Sequence, residues 1–244
     1  MPAWRRLLSL ALLLMVVGHP GMCLGDGIVR IGVLSFRPIA ITRQQWQDTA
    51  AYLDTAVPGH TFEMVPAYLP ELTRMVAQGQ VDFVVTNPEH FVLLRPRHGL
   101  SAIATLIPIA DGHPVDRFGG VIFTLAGNAA IRGLDDLRGR RISAVGKESF
   151  GGYMAQVWAL RKAGIDPAAV TANMRFTGQP HDQAVTEVLS GRADAGFVRT
   201  GVLESLAAEG KLRLADIRVL HPQPPDASPS ACPPISTLNG RWRP

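Results

Sequence analysis

The stretch VDFVVTNPEHF (residues 81–91) decides the fold class. Val81–Val85 is apolar apart from Asp82 and too short for a helix, so it reads as a buried parallel strand. Pro88 then opens a helix, at the one position where its missing N–H costs nothing. Thr86 and Asn87 stand at the junction. Further on, SFGGY (Ser149–Tyr153) repeats the arrangement: a strand ends and a helix begins at a turn rich in glycine. Each junction is the strand-to-helix half of a βα unit.

The surrounding sequence extends this alternation. Ile28–Leu34 reads as a strand, and Thr42–Ala56 as an amphipathic helix with Trp46, Ala50 and Leu53 on one face. Phe62–Val65 is a strand, followed by a helix over Leu69–Ala77 that stops at Gly79. Ser101–Ile109 is expected to be a strand, and Ala110–Arg117 a polar connection. Phe118–Leu125 opens a second run, followed by a helical turn, a glycine break and a strand over Leu134–Gly146. Phe150–Ala163 reads as a helix, Asn173–Phe176 as a strand, Gln179–Leu189 as a helix and Ala193–Phe197 as a strand. Thr200–Glu209 is then a helix and Ile217–Leu220 the last strand. Trp46 and Trp158 fall at apolar helix spacings and are expected in the core. The pattern is α/β with mainly parallel sheets. Breaks at Ala110–Arg117 and around Arg199–Gly201 divide it into two lobes. Residues 26–110 form the first lobe and 111–199 the second, 200–225 return to the first, and 226–244 are an irregular tail.

The two ends read differently from this body. Trp4-Arg5-Arg6 precedes the apolar run Leu7–Val17, which is short for a membrane span, so residues 1–25 read as a secretory signal peptide. The chain has 24 basic and 20 acidic residues. Setting aside Arg5, Arg6, Arg241 and Arg243 leaves 20 of each, so the basic pI is no sign of a nucleic-acid partner. Cys23 and Cys232 both lie outside the body, which excludes a disulfide framework, a thiolate metal site and a cysteine nucleophile there. The tail ASPSACPPISTLNGRWRP has two readings: a linker, or a frameshift after Asp226.

Binding chemistry concentrates at the strand ends. Thr86 and Asn87 lie at a strand's carboxyl end, the edge where open α/β sheets take ligands, and helix N-termini favour anions. Asn87 also suits an ordinary N-cap. Ser149, Phe150, Gly151, Gly152 and Tyr153 offer a hydroxyl and a close backbone approach. Ser35, Phe36 and Arg37 follow the first strand, where Arg37 supplies a fork of donors. His90 and Arg199, with Arg117 and Thr200, adjoin strand ends or crossings. Arg199 is read as hinge or rim, and His90 as a donor or a structural histidine. The sequence carries no nucleophile–base pair, no paired carboxylate set and no phosphate loop, and it calls for no cofactor or metal.

In order along the chain stand VRIGVLSFRP (29–38), WQDTAAYL (46–53), VDFVVTNPEHF, FGGVIFT (118–124), LDDLRGRRISAV (134–145), SFGGY and GRADAGFV (191–198). Together they resemble the phosphate/phosphonate-type periplasmic solute-binding proteins. They are closer still to the version that forms the N-terminal sensor of tetrathionate-sensing-type histidine kinases. The resemblance implies a two-lobed periplasmic binding fold of the second type with a small anionic solute between the lobes. It implies a partner as well, either a kinase module for a sensor or an ABC permease for a transport component, with enzymes on the same fold as the rival class. It matches Ser149–Tyr153 to the family's anion turn. The apolar Ile39-Ala40-Ile41 after Arg37 departs from the family's more polar stretch.

Overall fold

The computed structural model describes residues 27–107, 109–110, 113–114 and 118–221. The signal peptide, Arg117 and the tail therefore lie outside the described residues. Strand β1 (Gly27–Leu34) takes β2 (His60–Ala67) and β3 (Phe83–Val85) as parallel neighbours, giving the sheet order β2-β1-β3. Helix α1 (Ile39–Ala56) joins the first pair, and α2 (Leu69–Ala77) leads to β3. Helix α3 (Pro88–His98) follows β3 and ends on Gly99, whose φ of 66° suits the left-handed C-cap. This sheet has a small core of Ala67, Leu72 and Met75.

The second sheet is larger. Its strands are β6 (Gly120–Leu125), β7 (Ile142–Ala144), β8 (Met174–Phe176), β9 (Ala195–Arg199) and β10 (Ile217–His221), in the order β10-β6-β9-β7-β8. β7 pairs in parallel with β8 and β9, whereas β6 runs antiparallel to β9 and β10. Strand alternation sends Ile122 and Phe197 to one face and Phe123 and Val198 to the other, so the sheet carries a core on each side. The helices covering it are α4 (Ala155–Lys162), α5 (Pro167–Thr171), α6 (Asp182–Leu189) and α7 (Val202–Ala208). A two-stranded ribbon of β4 (Ile109–Ala110) and β5 (His113–Pro114) lies between the sheets in sequence. None of the helices among the described residues is long and apolar enough to cross a membrane.

Four sequence expectations are corrected. The strand expected over Ser101–Ile109 shrinks to β4, because residues 101–107 are exposed and find no strand partner among the described residues. The return to the first lobe expected at residue 200 does not occur within the described residues. Val202, Leu203 and Leu206 of α7 enter the second sheet's core, and β10 pairs with β6. The helix expected from Phe150 begins as a single π turn over Phe150–Met154 before α4. Trp158 is not core but 47% exposed, with Lys162 Nζ 4.5 Å from its ring centre.

Gln156 pins these parts together. Its Nε2 group lies 3.2 Å from Val121 O, 2.8 Å from Gly151 O and 2.9 Å from Val198 O, tying the π turn to β6 and β9. A Cβ on Gly120 would overlap that amide. Gly120→Ala is therefore expected to destabilise the protein by about 1–2 kcal/mol in urea unfolding. An unchanged midpoint would show that Gln156 is free to give way.

Candidate functional site

Arg199 is the last residue of β9, the central strand of the second sheet. Its guanidinium carbon lies 4.1 Å from the Phe36 ring centre and 4.5 Å from that of Phe118. Phe118 in turn meets Phe150 edge-on at 5.4 Å, and Phe36 meets His181 edge-on at 6.3 Å. The slot is thus aromatic on both sides and draws on both halves of the fold. Among the described residues no carboxylate pairs with Arg199, and burial lowers its pKa to about 10. Stacking holds the cation at about 0.5–2 kcal/mol per ring but leaves its in-plane donors unmatched.

The Ser149 turn packs beside it. Ser149 Oγ accepts from Gly152 N–H at 3.2 Å as an N-cap, which leaves its own proton available. The glycines serve packing within the protein. A Cβ on Gly151 would come within 2.9 Å of Arg199 Cβ, and one on Gly152 within 2.7 Å of Val145. Phe150 faces the slot through Phe118, whereas Tyr153 packs edge-on against Phe176 at 5.6 Å.

Arg37 does not join this group. It is 2% exposed, and its Nε and Nη2 donate to Asp182 at 2.7 and 3.1 Å. Nη2 also reaches Glu209 at 2.9 Å. The sequence reading of Arg37 as an anion donor is corrected by this geometry, since a buried guanidinium needs carboxylates and has found two. Next to it, His181 N–H donates to Phe36 O at 2.9 Å, and Leu69 N–H donates to Gln179 Oε1 at 2.7 Å. These contacts clasp the loop after β1 and the start of α2 to the segment before α6. Ser35 is fully buried here, with N–H donating to Ala67 O at 2.9 Å and Oγ without a partner among the described residues. Thr200 is held by reciprocal bonds with Gly119, at 3.0 and 3.1 Å.

The first junction forms a network of its own. Asn87 Oδ1 accepts from His90 N–H at 2.8 Å, so Asn87 is an N-cap. Thr73 Oγ1 donates to Leu69 O at 2.7 Å, because a carbonyl can only accept. The contact of 2.9 Å between Thr73 Oγ1 and His90 Nε2 must then be an N–H donating to the hydroxyl. A neutral His90 has a bare Nδ1, which accepts from the Thr86 hydroxyl at 2.7 Å. Thr86 therefore turns only lone pairs outward, and His90, 3% exposed, donates to nothing in the cleft. Glu89 in the same turn has a buried Oε2 with no partner among the described residues. Burial, and then Glu148 on the other half, raise its pKa.

Both buried histidines stay neutral. Burial lowers His90 from 6.5 to about 4, and burial followed by Arg199 and Arg37 lowers His181 to about 3. His181 Nδ1 accepts from Arg199 N–H at 3.1 Å, which a protonated ring could not do. An unfolded chain takes up these protons near pH 6.5, so the stability they represent is complete above that pH and is lost as pH falls toward 4 and 3. Urea unfolding is expected to show a loss of about 1 kcal/mol between pH 7 and pH 6. A flat profile would contradict the neutral, buried assignment.

The sequence brought Phe36, Phe150, Gly151 and Arg199 into view, and the structure places them together. It sets Thr86, Asn87 and His90 in a separate network. Phe118, Gln179, His181 and Asp182 were missed as site residues, and Glu89 was not singled out. The one signal available was Arg199 itself, a charge closing an otherwise apolar strand. A hollow between β8 and α6 has two arginines, Arg175 and Arg192, but both are paired with Glu187, at 3.6 and 2.9 Å.

A family model described as "ABC transporter, phosphonate, periplasmic substrate-binding protein" matches residues 31–234. The tetrathionate sensor histidine kinase TtrS of Salmonella typhimurium is 33% identical over 216 residues, covering 88% of this chain. The chain spans 36% of that relative's length. A binding-protein component of an ABC phosphonate transporter from Pseudomonas aeruginosa superposes with a TM-score of 0.65 at 12% identity, over 80% of this chain and 64% of that one. PhnD1 of Prochlorococcus marinus, in complex with methylphosphonate, gives 0.64 at 16% identity over 79% and 71%. These likenesses show the two-lobed type 2 periplasmic binding fold, with the two sheets as the cores of its lobes.

Proposed function

Because this chain belongs to the family of periplasmic substrate-binding proteins of phosphonate ABC transporters, we propose that it binds a small oxyanion between its lobes as the ligand-sensing part of a histidine kinase. The observation that carries the reading is Arg199, a cation held between the Phe36 and Phe118 rings with no carboxylate partner among the described residues. A guanidinium left in that state favours a planar or tetrahedral oxyanion in its plane. The adjoining Ser149 hydroxyl and the first N–H groups of the π turn supply further donors. The ligand is held by closure and hydrogen bonding, with no covalent step.

The sensing role rests on the likeness to the tetrathionate sensor kinase. The phosphonate-transport family model supports a second reading, a free transport component that hands its solute to a permease. A permease gene beside this one would favour the second reading, and kinase coding sequence the first. Residues 1–25 act in either case as the export signal.

Thermal-shift measurement with phosphate, phosphite, methylphosphonate, alkylsulfonates, thiosulfate and tetrathionate tests the binding. A ligand at a hundred times its Kd is expected to stabilise the fold by about 2.7 kcal/mol. If no anion moves the melting temperature, the reading is wrong.

A further inference from the structure

Residues 101–107 (SAIATLI) carry strand-forming side chains but form no strand. All seven are exposed, with Ile103 at 78%, Leu106 at 60% and Ile107 at 51%. Among the described residues, none of their backbone N–H or C=O groups has a backbone partner. From Gly99 to Ala110 there is not one charged residue. Folded chains guard their open strands with charge, with proline or with a cover. The outer strand β2 of the first sheet shows the usual device in Pro66, which has no N–H to offer a newcomer. Residues 101–107 have no such guard, and Pro108 only marks where a ladder must stop. An apolar run left bare in this way is a site for pairing with another chain.

The order of residues in the run fits it to its own copy. Two copies laid antiparallel about a two-fold axis pair all seven residues in a single register, with Ala104 facing itself. In that register Ile103 lies opposite Thr105, Leu106 opposite Ala102 and Ile107 opposite Ser101. Every large side chain meets a small one, and Ile103 and Ile107 of the two copies form one apolar row along the diagonals. A slip of one residue sets Ile103 against Leu106 and brings Pro108, without an N–H, opposite Ser101. The run also holds no charge to repel its copy. We infer that residues 101–107 pair with the same residues of a second copy, as an antiparallel ladder centred on Ala104, and so join two molecules through their first lobes. Seven residues cover less than the roughly 800 Å² per partner of a stable interface, so the dimer is a weak one, with a Kd on the order of 10 μM. The pairing is independent of what the cleft binds.

Sedimentation velocity of the whole protein from about 1 to about 200 μM tests it, and a monomer–dimer equilibrium is expected across that range. Ile103→Lys brings two like charges to diagonal positions beside the axis and is expected to weaken association by about tenfold or more. Because Ile103 is exposed, the melting temperature of dilute protein should not move. Cysteine trapping reads the register. With Cys23→Ser and Cys232→Ser as background, Ala104→Cys should give a disulfide-linked dimer under mild oxidation, since directly opposed Cβ atoms lie about 4.5–5.5 Å apart. Ala102→Cys should not, because its copy stands four residues along the ladder, about 13 Å away and beyond disulfide reach. Equal trapping of both would be random collision and overturns the ladder. A protein that stays monomeric across the range overturns it too. So does an Ile103→Lys variant that melts lower and associates as before, since the run would then be covered within its own lobe. Open-ended oligomers in place of a dimer would mean that no two-fold axis closes the contact, and the inference falls.

Discussion

Arg199→Ala is expected to weaken oxyanion binding by two to three orders of magnitude while leaving the fold nearly as stable as before. The two effects separate because Arg199 has aromatic neighbours and no ion-pair partner among the described residues. Removing it strands no carboxylate, so the loss in folding free energy is that of two stacking contacts, about 1–2 kcal/mol. A bound oxyanion, by contrast, loses two charge-assisted hydrogen bonds at about 1.5–3 kcal/mol each, which corresponds to a hundredfold or more in Kd. Arg199→Lys keeps the charge but gives up the planar fork and most of the stacking. It is expected to recover only part of the affinity. Titration calorimetry beside urea unfolding reads both quantities. A variant that binds like wild type would remove Arg199 from the site, and one that fails to fold would show a structural role instead.

Arg37→Ala is the reverse case. Its guanidinium is buried and holds Asp182 and Glu209. Truncation leaves Asp182, itself mostly covered, with an unmatched charge. Breaking a buried pair of this kind costs about 3–4 kcal/mol, and urea unfolding should show it. The loss should also be insensitive to added salt, unlike that of an exposed pair. Because Arg37 belongs to one lobe and its partners to the other, the variant should populate a more open form, seen as a larger radius of gyration in solution scattering. Apparent affinity then falls by the fraction of molecules left closed. Unchanged scattering and unchanged stability would show that the clasp is ornamental.

The sequence carried the alternation of strands and helices well, because short apolar runs ending in glycine and proline signals are local information. It misplaced residues 200–221 for a physical reason. Ile217–His221 pairs with β6, and a strand's own residues do not say which edge it joins. Ser101–Ile109 reads as a strand by composition, yet residues 101–107 find no neighbour among the described residues to complete a ladder. The site was legible in kind and less so in role. Arg37 and Arg199 look alike on the page, each following a strand. Only the fold shows that Asp182 and Glu209, far away in sequence, converge on the first and leave the second unmatched. The proton order through Thr73, His90 and Thr86 was equally hidden, since it depends on which carbonyl each hydroxyl meets.

The clasp around Arg37 has one more consequence. A two-state binding protein is judged by the contrast between its empty and its occupied populations. Contacts made entirely by protein, such as Arg37 with Asp182 and Glu209, His181 with Phe36, and Leu69 with Gln179, favour the shut form with nothing inside. They set how much of the empty protein is shut, and a ligand can add only the difference between its affinities for the two forms. Loosening the clasp trades apparent affinity for a smaller shut population in the empty protein, and tightening it does the opposite. The span between empty and occupied states is therefore adjustable at residues that never touch the ligand.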